Sequence, residues 1–118
     1  MKIVLLADTD MKRTRGLMYH RPLEKNECAF FDFPREGQHT FWNKNVDFPI
    51  SLIFCNASGE VLDIKRLNAQ QTRSIKPDVY DIKYVIESHI DAPNQYRITK
   101  GRRMIKNRRR KGRSKLAV

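Results

Sequence analysis

Residues Trp42, Asn43, Lys44 and Asn45 put an indole, an ammonium and two carboxamides into consecutive positions of a 118-residue chain. Polar groups and a cation beside a large aromatic ring can hold a small anion or a peptide, and Arg15 offers a second cation. Arg15, Trp42, Lys44 and Asn45 are therefore the candidate ligand-site residues. The same corner also reads as a structural turn, in which Trp42 fills core, Lys44 is solvated and Asn45 bonds its own backbone. Sequence alone leaves both readings open.

Other chemistry finds less support. His20, His39 and His89 are scattered, without the H-x-H or H-x-x-x-H spacing that sets two imidazoles on one metal, so no metal site or cofactor is expected. Cys28 and Cys55 lie far apart inside apolar runs and read as buried free thiols. There is no glycine-rich phosphate loop and no G-x-S-x-G elbow. Asp8, Asp32 and Asp63 fall near strand ends, where they can meet as an acid–base pair or serve as caps and solvated charges. No catalytic constellation stands out, and the expectation leans away from an enzyme.

Charge is distributed unevenly. Residues 1–99 carry 14 Lys+Arg against 13 Asp+Glu, whereas residues 100–118 carry 10 Lys+Arg and no acid. A near-neutral body with a cationic end is the pattern of a folded domain bearing an interaction tail. Arg102, Arg103, Lys106, Arg108, Arg109, Arg110, Lys111, Arg113 and Lys115 suit a phosphate backbone, because guanidinium forks bind phosphate oxygens in pairs. The tail has no aromatic residue to stack on bases, so non-specific binding of nucleic acid, or docking to an acidic protein assembly, is expected.

The elements that position these groups are short. With hydrophobic residues at 40% the chain can form one modest core, and no apolar run approaches the roughly 20 residues of a membrane helix. A first strand is predicted over Lys2–Ala7. A helix of barely two turns follows, capped by Asp8 or Thr9 and ended by Gly16. Leu17-Met18-Tyr19 is expected to plug the core. Cys28–Phe33 and His39–Trp42, separated by a Pro and Gly turn, read as a hairpin. Ile50–Phe54 reads as a buried strand, joined through Asn56-Ala57-Ser58-Gly59 to a strand over Glu60–Arg66. Residues 68–81 read as a long loop, Ile82–Glu87 as a strand, and Asp91–Tyr96 as one helical turn with Pro93 in its first turn. A last strand near Arg102–Ile105 leads into chain that is expected to be flexible when free. The fold class is mainly β: a compact antiparallel barrel or sandwich with one or two short helical turns, over residues 1–105, with a basic tail over 106–118.

In this order, Ala7-Asp8-Thr9, Gly16-Leu17-Met18, Phe41-Trp42-Asn43-Lys44-Asn45, Pro49-Ile50-Ser51-Leu52-Ile53-Phe54 and Gly59-Glu60-Val61 resemble the signature of the domain of unknown function 192 family. Tyr84-Val85-Ile86-Glu87 and Ile98–Met104 resemble its closing segments, and the W-x-K-N corner is the most specific part. The resemblance implies a compact β-rich domain and brings no established activity. Asn43 stands where methionine is usual, Ser51 where aspartate is, and Cys28-Ala29 where a glycine-methionine pair is. The long loop lacks the paired cysteines of many exported relatives, which fits an intracellular protein. The tail lies outside the family pattern.

Two functions follow as expectations. The first is a non-enzymatic β-domain that docks into a nucleoprotein or other acidic assembly, a ribonucleoprotein or a phage particle, through its basic arm. The second is a small ligand-binding protein or hydrolase-like enzyme with its site around Trp42–Asn45. The expected location is the cytoplasm, or the interior of a virion for a phage-encoded chain, with no membrane association.

Overall fold

Strand β3 (Ile50–Cys55) is buried at all six positions, which its isoleucine, leucine and phenylalanine content favours. Asn56 ends it. The Asn56 Oδ1 accepts from the backbone N–H groups of Ser58 and Glu60 at 3.1 and 3.0 Å, and Gly59 takes φ of 85°, so the chain reverses into β4 (Val61–Leu67). The β3–β4 hairpin is the one the sequence predicts. Strand β5 (Ile82–His89) pairs antiparallel with the other side of β3, and β2 (Glu27–Gly37) pairs antiparallel with β5. Strand β1 (Lys2–Ala7) runs parallel to β2, giving a five-stranded sheet ordered β1-β2-β5-β3-β4. The computed structural model describes residues 1–108 and 113–116, with side chains as far as Ile105.

A parallel pair needs a crossover, and α1 (Asp10–Arg15) supplies part of it. The Thr9 Oγ1 accepts from the Lys12 N–H at 3.2 Å, and Gly16, at φ of 49°, ends the helix. At the other end of the sheet, α2 (Ala92–Gln95) is a single turn with Pro93 in its first positions.

Because side chains alternate along each strand, the sheet feeds two cores. On one face Ala29, Phe31, Leu52, Phe54 and Val85 pack with Leu17, Phe41, Val46 and Phe48. On the other Cys28, Phe30, Ile53, Cys55 and Ile86 pack with Ile98, Met104 and Ile105. The covering residues come from the segments between strands. Both cysteines are free and buried, and burial pushes their thiols up to about 12.

The mainly-β class and the two short helices match the expectation, while the sheet is open and its first pair is parallel. The expected hairpin between Cys28–Phe33 and His39–Trp42 is absent. Instead β2 runs on through Pro34 to Gly37, with its register to β5 broken between Asp32 and Gly37, where a proline can be tolerated. Phe41 makes an isolated bridge with Ile75 and stands edge-on to Phe31 and Phe33, at 6.3 and 6.1 Å. The segment after β2 is thus a lid over the sheet rather than its next strand. Of Leu17-Met18-Tyr19, only Leu17 is a core residue, since Tyr19 is 77% exposed.

At the C-terminal end, residues 101–104 are tied to the β3–β4 turn: the Met104 N–H donates to the Gly59 carbonyl and the Val61 N–H to the Arg102 carbonyl, both at 2.8 Å. Strand β6 (Ile105–Arg108) then pairs antiparallel with β7 (Arg113–Leu116). Of the residues expected to be flexible when free, Asn107, Arg108 and Arg113 lie in these two paired strands. Arg109, Arg110 and Lys111 lie outside the described residues.

Gly59 carries the contact between this end and the sheet. A Cβ on Gly59 would lie 2.6 Å from the Ile105 carbonyl oxygen, whereas one on Gly101, at a similar φ, meets nothing within 4 Å. We therefore expect Gly59→Ala to cost more than about 2 kcal/mol and Gly101→Ala about 1 kcal/mol, read from urea midpoints. Equal losses would contradict the close approach at Ile105.

Candidate functional site

The loop leaving α1 and the lid segment meet over the sheet and leave a cavity of about 500 Å³ between them. Its walls include Leu17, Phe31, Phe41 and Val46, all buried. Gly16 turns the chain into this approach at φ of 49°, and a Cβ there would touch the Phe31 ring at 3.4 Å.

Glu87, 5% exposed, lines this cavity from β5, the central strand. Its register neighbours are Ala29 on β2 and Leu52 on β3, neither of which carries a polar side chain. Among the described residues, none donates a hydrogen bond to the Glu87 carboxyl or forms an ion pair with it. Burial alone therefore acts on it and pushes it up to about 8, so the group is largely protonated at neutral pH.

Glu27 shows the opposite treatment of a buried acid. Arg21 grips both its oxygens at 2.7 and 2.9 Å, and the Glu24 N–H donates to Oε1 at 2.9 Å. These bonds hold the Glu27 carboxyl down at about 2. The fold thus pairs the acid it uses as a brace and leaves unpaired the one that faces the cavity.

Cations gather at the mouth. Arg13 is already committed: it donates to the Asp32 carbonyl at 2.7 Å and to Asp10 at 2.6 Å, and lies 5.6 Å from the Phe33 ring centroid. Arg15 is exposed and makes no ion pair among the described residues. Lys44 is exposed and places its ammonium 5.4 Å from the centroid of Trp42, which is itself 44% exposed. His39 also lines the cavity. It stacks on Phe33 at 3.7 Å, and burial holds it below the usual imidazole range.

Of the four predicted ligand residues, the structure brings Arg15, Trp42 and Lys44 to one cavity. Trp42 is not the core residue of the turn reading. Asn45 does not line the cavity and serves the turn through its backbone: at φ of 61° its N–H donates to Gln70 Oε1 and its carbonyl accepts from the Tyr19 N–H. The buried amide is Asn43, 1% exposed, whose Nδ2 donates to the Phe48 and Asn68 carbonyls at 2.9 Å each and pins the lid to the long loop. Sequence reasoning missed Asn43 and Glu87 as site residues. The available signal for Glu87 was an acid inside the otherwise apolar stretch Val85-Ile86-Glu87 of a predicted strand.

Each of the three aspartates faces a lysine. Asp8 lies 3.7 Å from Lys12, Asp32 2.5 Å from Lys83, and Asp63 3.7 Å from both Lys65 and Lys100. Among the described residues, no three metal-ligating side chains converge. Of the predicted basic surface, Arg102 is half-buried and donates to the Tyr96 and Arg97 carbonyls, while Arg103 is exposed. Lys106 and Arg108 fall on β6, and Arg113 and Lys115 on β7.

Residues 3–105 match the family described as Uncharacterized ACR, domain of unknown function 192, and the chain belongs to that family. Its fold is similar to that of a protein from Sinorhizobium meliloti 1021, described as a putative transcription regulator, with 26% identity over 83% of this chain and 76% of that one, at a TM-score of 0.77. It is also similar to a protein of unknown function from Novosphingobium aromaticivorans DSM 12444, with 23% identity over 81% and 69% of the two chains, at a TM-score of 0.75. No curated protein matches this chain.

The two buried acids give a pH signature. Glu87 keeps its proton in the folded state up to about 8 but has an ordinary value of 4.5, so folding takes up a proton between these values and stability falls as pH rises through that window. The depressed Glu27 acts below 4.5, where stability is lost as pH falls toward 2, so the windows do not overlap. Glu87→Gln should remove the upper slope: the variant exceeds the parent by roughly 3 kcal/mol or more at pH 8 and matches it near pH 4. Denaturant midpoints measured across that range check this, and curves that stay parallel would contradict it.

Proposed function

We propose that this protein binds a small ligand in the cavity lined by Glu87, Trp42, Lys44 and Arg15. The observation that carries the reading is the unpaired Glu87 carboxyl on the central strand, opening into a space of ligand size. An isolated acid in a core costs stability, and a purely structural position is better served by an apolar residue. Binding rather than turnover is the activity proposed, because the hydroxyls that line the cavity among the described residues, Thr14 and Thr40, are both exposed rather than held against a buried base.

Amide and indole NMR shifts of the full chain test this against a fragment library. Binders should move the Trp42 indole N–H and the Gly16 amide together, and lose at least about tenfold in affinity in Trp42→Ala. Hits that consistently move resonances elsewhere would overturn the reading.

The basic end supports a second activity, binding to nucleic acid through phosphate contacts. Its support is the charge asymmetry, together with the register of the C-terminal hairpin. Lys106 pairs with Lys115 and Arg108 with Arg113. These four cations thus share one paired element of the backbone, and an anionic nucleic-acid backbone suits such a cluster. The description of the Sinorhizobium protein as a transcription regulator is compatible with this activity and was given to that protein alone. If about six to eight phosphates are contacted, log affinity for duplex DNA should fall with log salt at a slope of about −5 to −7. Replacing Lys106, Arg108, Arg113 and Lys115 together by glutamine should reduce that slope by about 3 to 4. An unchanged slope would remove the hairpin from the contact.

A further inference from the structure

The ligand class can be argued from the charges that remain unspent around the cavity. This step rests on the cavity being a ligand site. Five strongly ionisable side chains line it: Asp10, Arg13, Arg15, Lys44 and Glu87. Asp10 and Arg13 neutralise each other at 2.6 Å, and Arg13 has further bonds to the sheet. Glu87, with burial favouring its neutral form, contributes little negative charge at neutral pH. Among the described residues, Arg15 and Lys44 then stand as two cations without an ion-pair partner.

Position separates these groups into a charged mouth and an apolar interior. Arg15 and Lys44 are exposed, whereas Leu17, Phe31, Phe41 and Val46 line the space toward the sheet. Trp42 lies at the mouth beside the Lys44 ammonium with much of its surface open, an arrangement that suits a flat ring carrying a negative charge. An ammonium ligand fits poorly, because it would meet two like charges on entry and would require the buried carboxyl to give up its proton.

We infer that the cavity takes a small aromatic anion, a ring bearing a carboxylate or phosphate, with the anionic group held at the mouth by Arg15 and Lys44 and the ring seated against Trp42 and the apolar wall. Glu87, as a carboxylic acid, offers a hydrogen bond to a carbonyl or hydroxyl at the ligand's inner end. Charge selects the ligand at the entrance and hydrogen bonding selects it at the base.

Three probes with one ring system test this: 1-naphthoate, 1-naphthalenemethanol and 1-naphthylmethylamine, titrated into the full chain at pH 7 while the Trp42 indole N–H is followed. The carboxylate should bind about tenfold or more tighter than the alcohol, and the double variant Arg15→Gln/Lys44→Gln should bring it down to the alcohol's level. If the amine or the alcohol binds as tightly as the carboxylate while still shifting Trp42, the cavity is a ligand site but the anion assignment is wrong. If none of the three shifts Trp42, both the assignment and the cavity reading fail.

Discussion

A sheet covered on both faces leaves little room for water over its central strands, so a polar group there must find a partner in the protein or open into a cavity. That constraint organises this molecule. Strand β3 satisfies it by composition, being apolar at every position except Ser51, whose hydroxyl donates to the Ile90 carbonyl at 3.0 Å. Central strand β5 satisfies it everywhere on the lid side except Glu87. The covers that create the constraint are irregular segments: the loop around Leu17 and the lid carrying Phe41, Val46 and Phe48 on one side, Ile98 to Ile105 on the other.

The lid is itself held by polar bonds that the burial makes worthwhile. Asn43 donates twice to carbonyls of two different loops, and the backbones of Val46 and Asn43 bond to Gln70 and Gln71. Removing the Asn43 amide would leave the buried Phe48 carbonyl without its donor, whereas the Asn68 carbonyl keeps the Gln71 N–H at 3.2 Å. The corner that holds the mouth residues Trp42 and Lys44 is therefore fixed by its buried neighbour, not by the residues that face the cavity. The two proposed activities also sit apart. The cavity is walled by the core under the lid, while the root of the basic hairpin, Met104 and Ile105, belongs to the core on the opposite face.

Local chemistry was legible in the sequence and long-range pairing was not. The β3–β4 hairpin, the Thr9 cap and the Gly16 exit each depend on a few adjacent residues whose turn or capping chemistry is specific. The parallel β1–β2 pair depends on contacts across a crossover, and nothing local marks it. The false hairpin at His39–Trp42 arose because an aromatic run that packs flat over a sheet has the same composition as one that pairs within it. Trp42 could be weighed only as core or site from sequence, because its exposure is set by where the lid ends. Glu87 was visible as an oddity within an apolar strand. Its importance comes from β5 being central, and that is a property of the strand order.

The central claim is that Glu87 is an unpaired, desolvated carboxyl facing a ligand cavity. A pH titration of the Glu87 side-chain carboxyl carbon by NMR, in the ligand-free full chain, measures this directly. The account predicts a midpoint of about 8. A midpoint in the ordinary range near 4.3 would mean that water or a donor already satisfies the group, and would contradict a ligand site built on it.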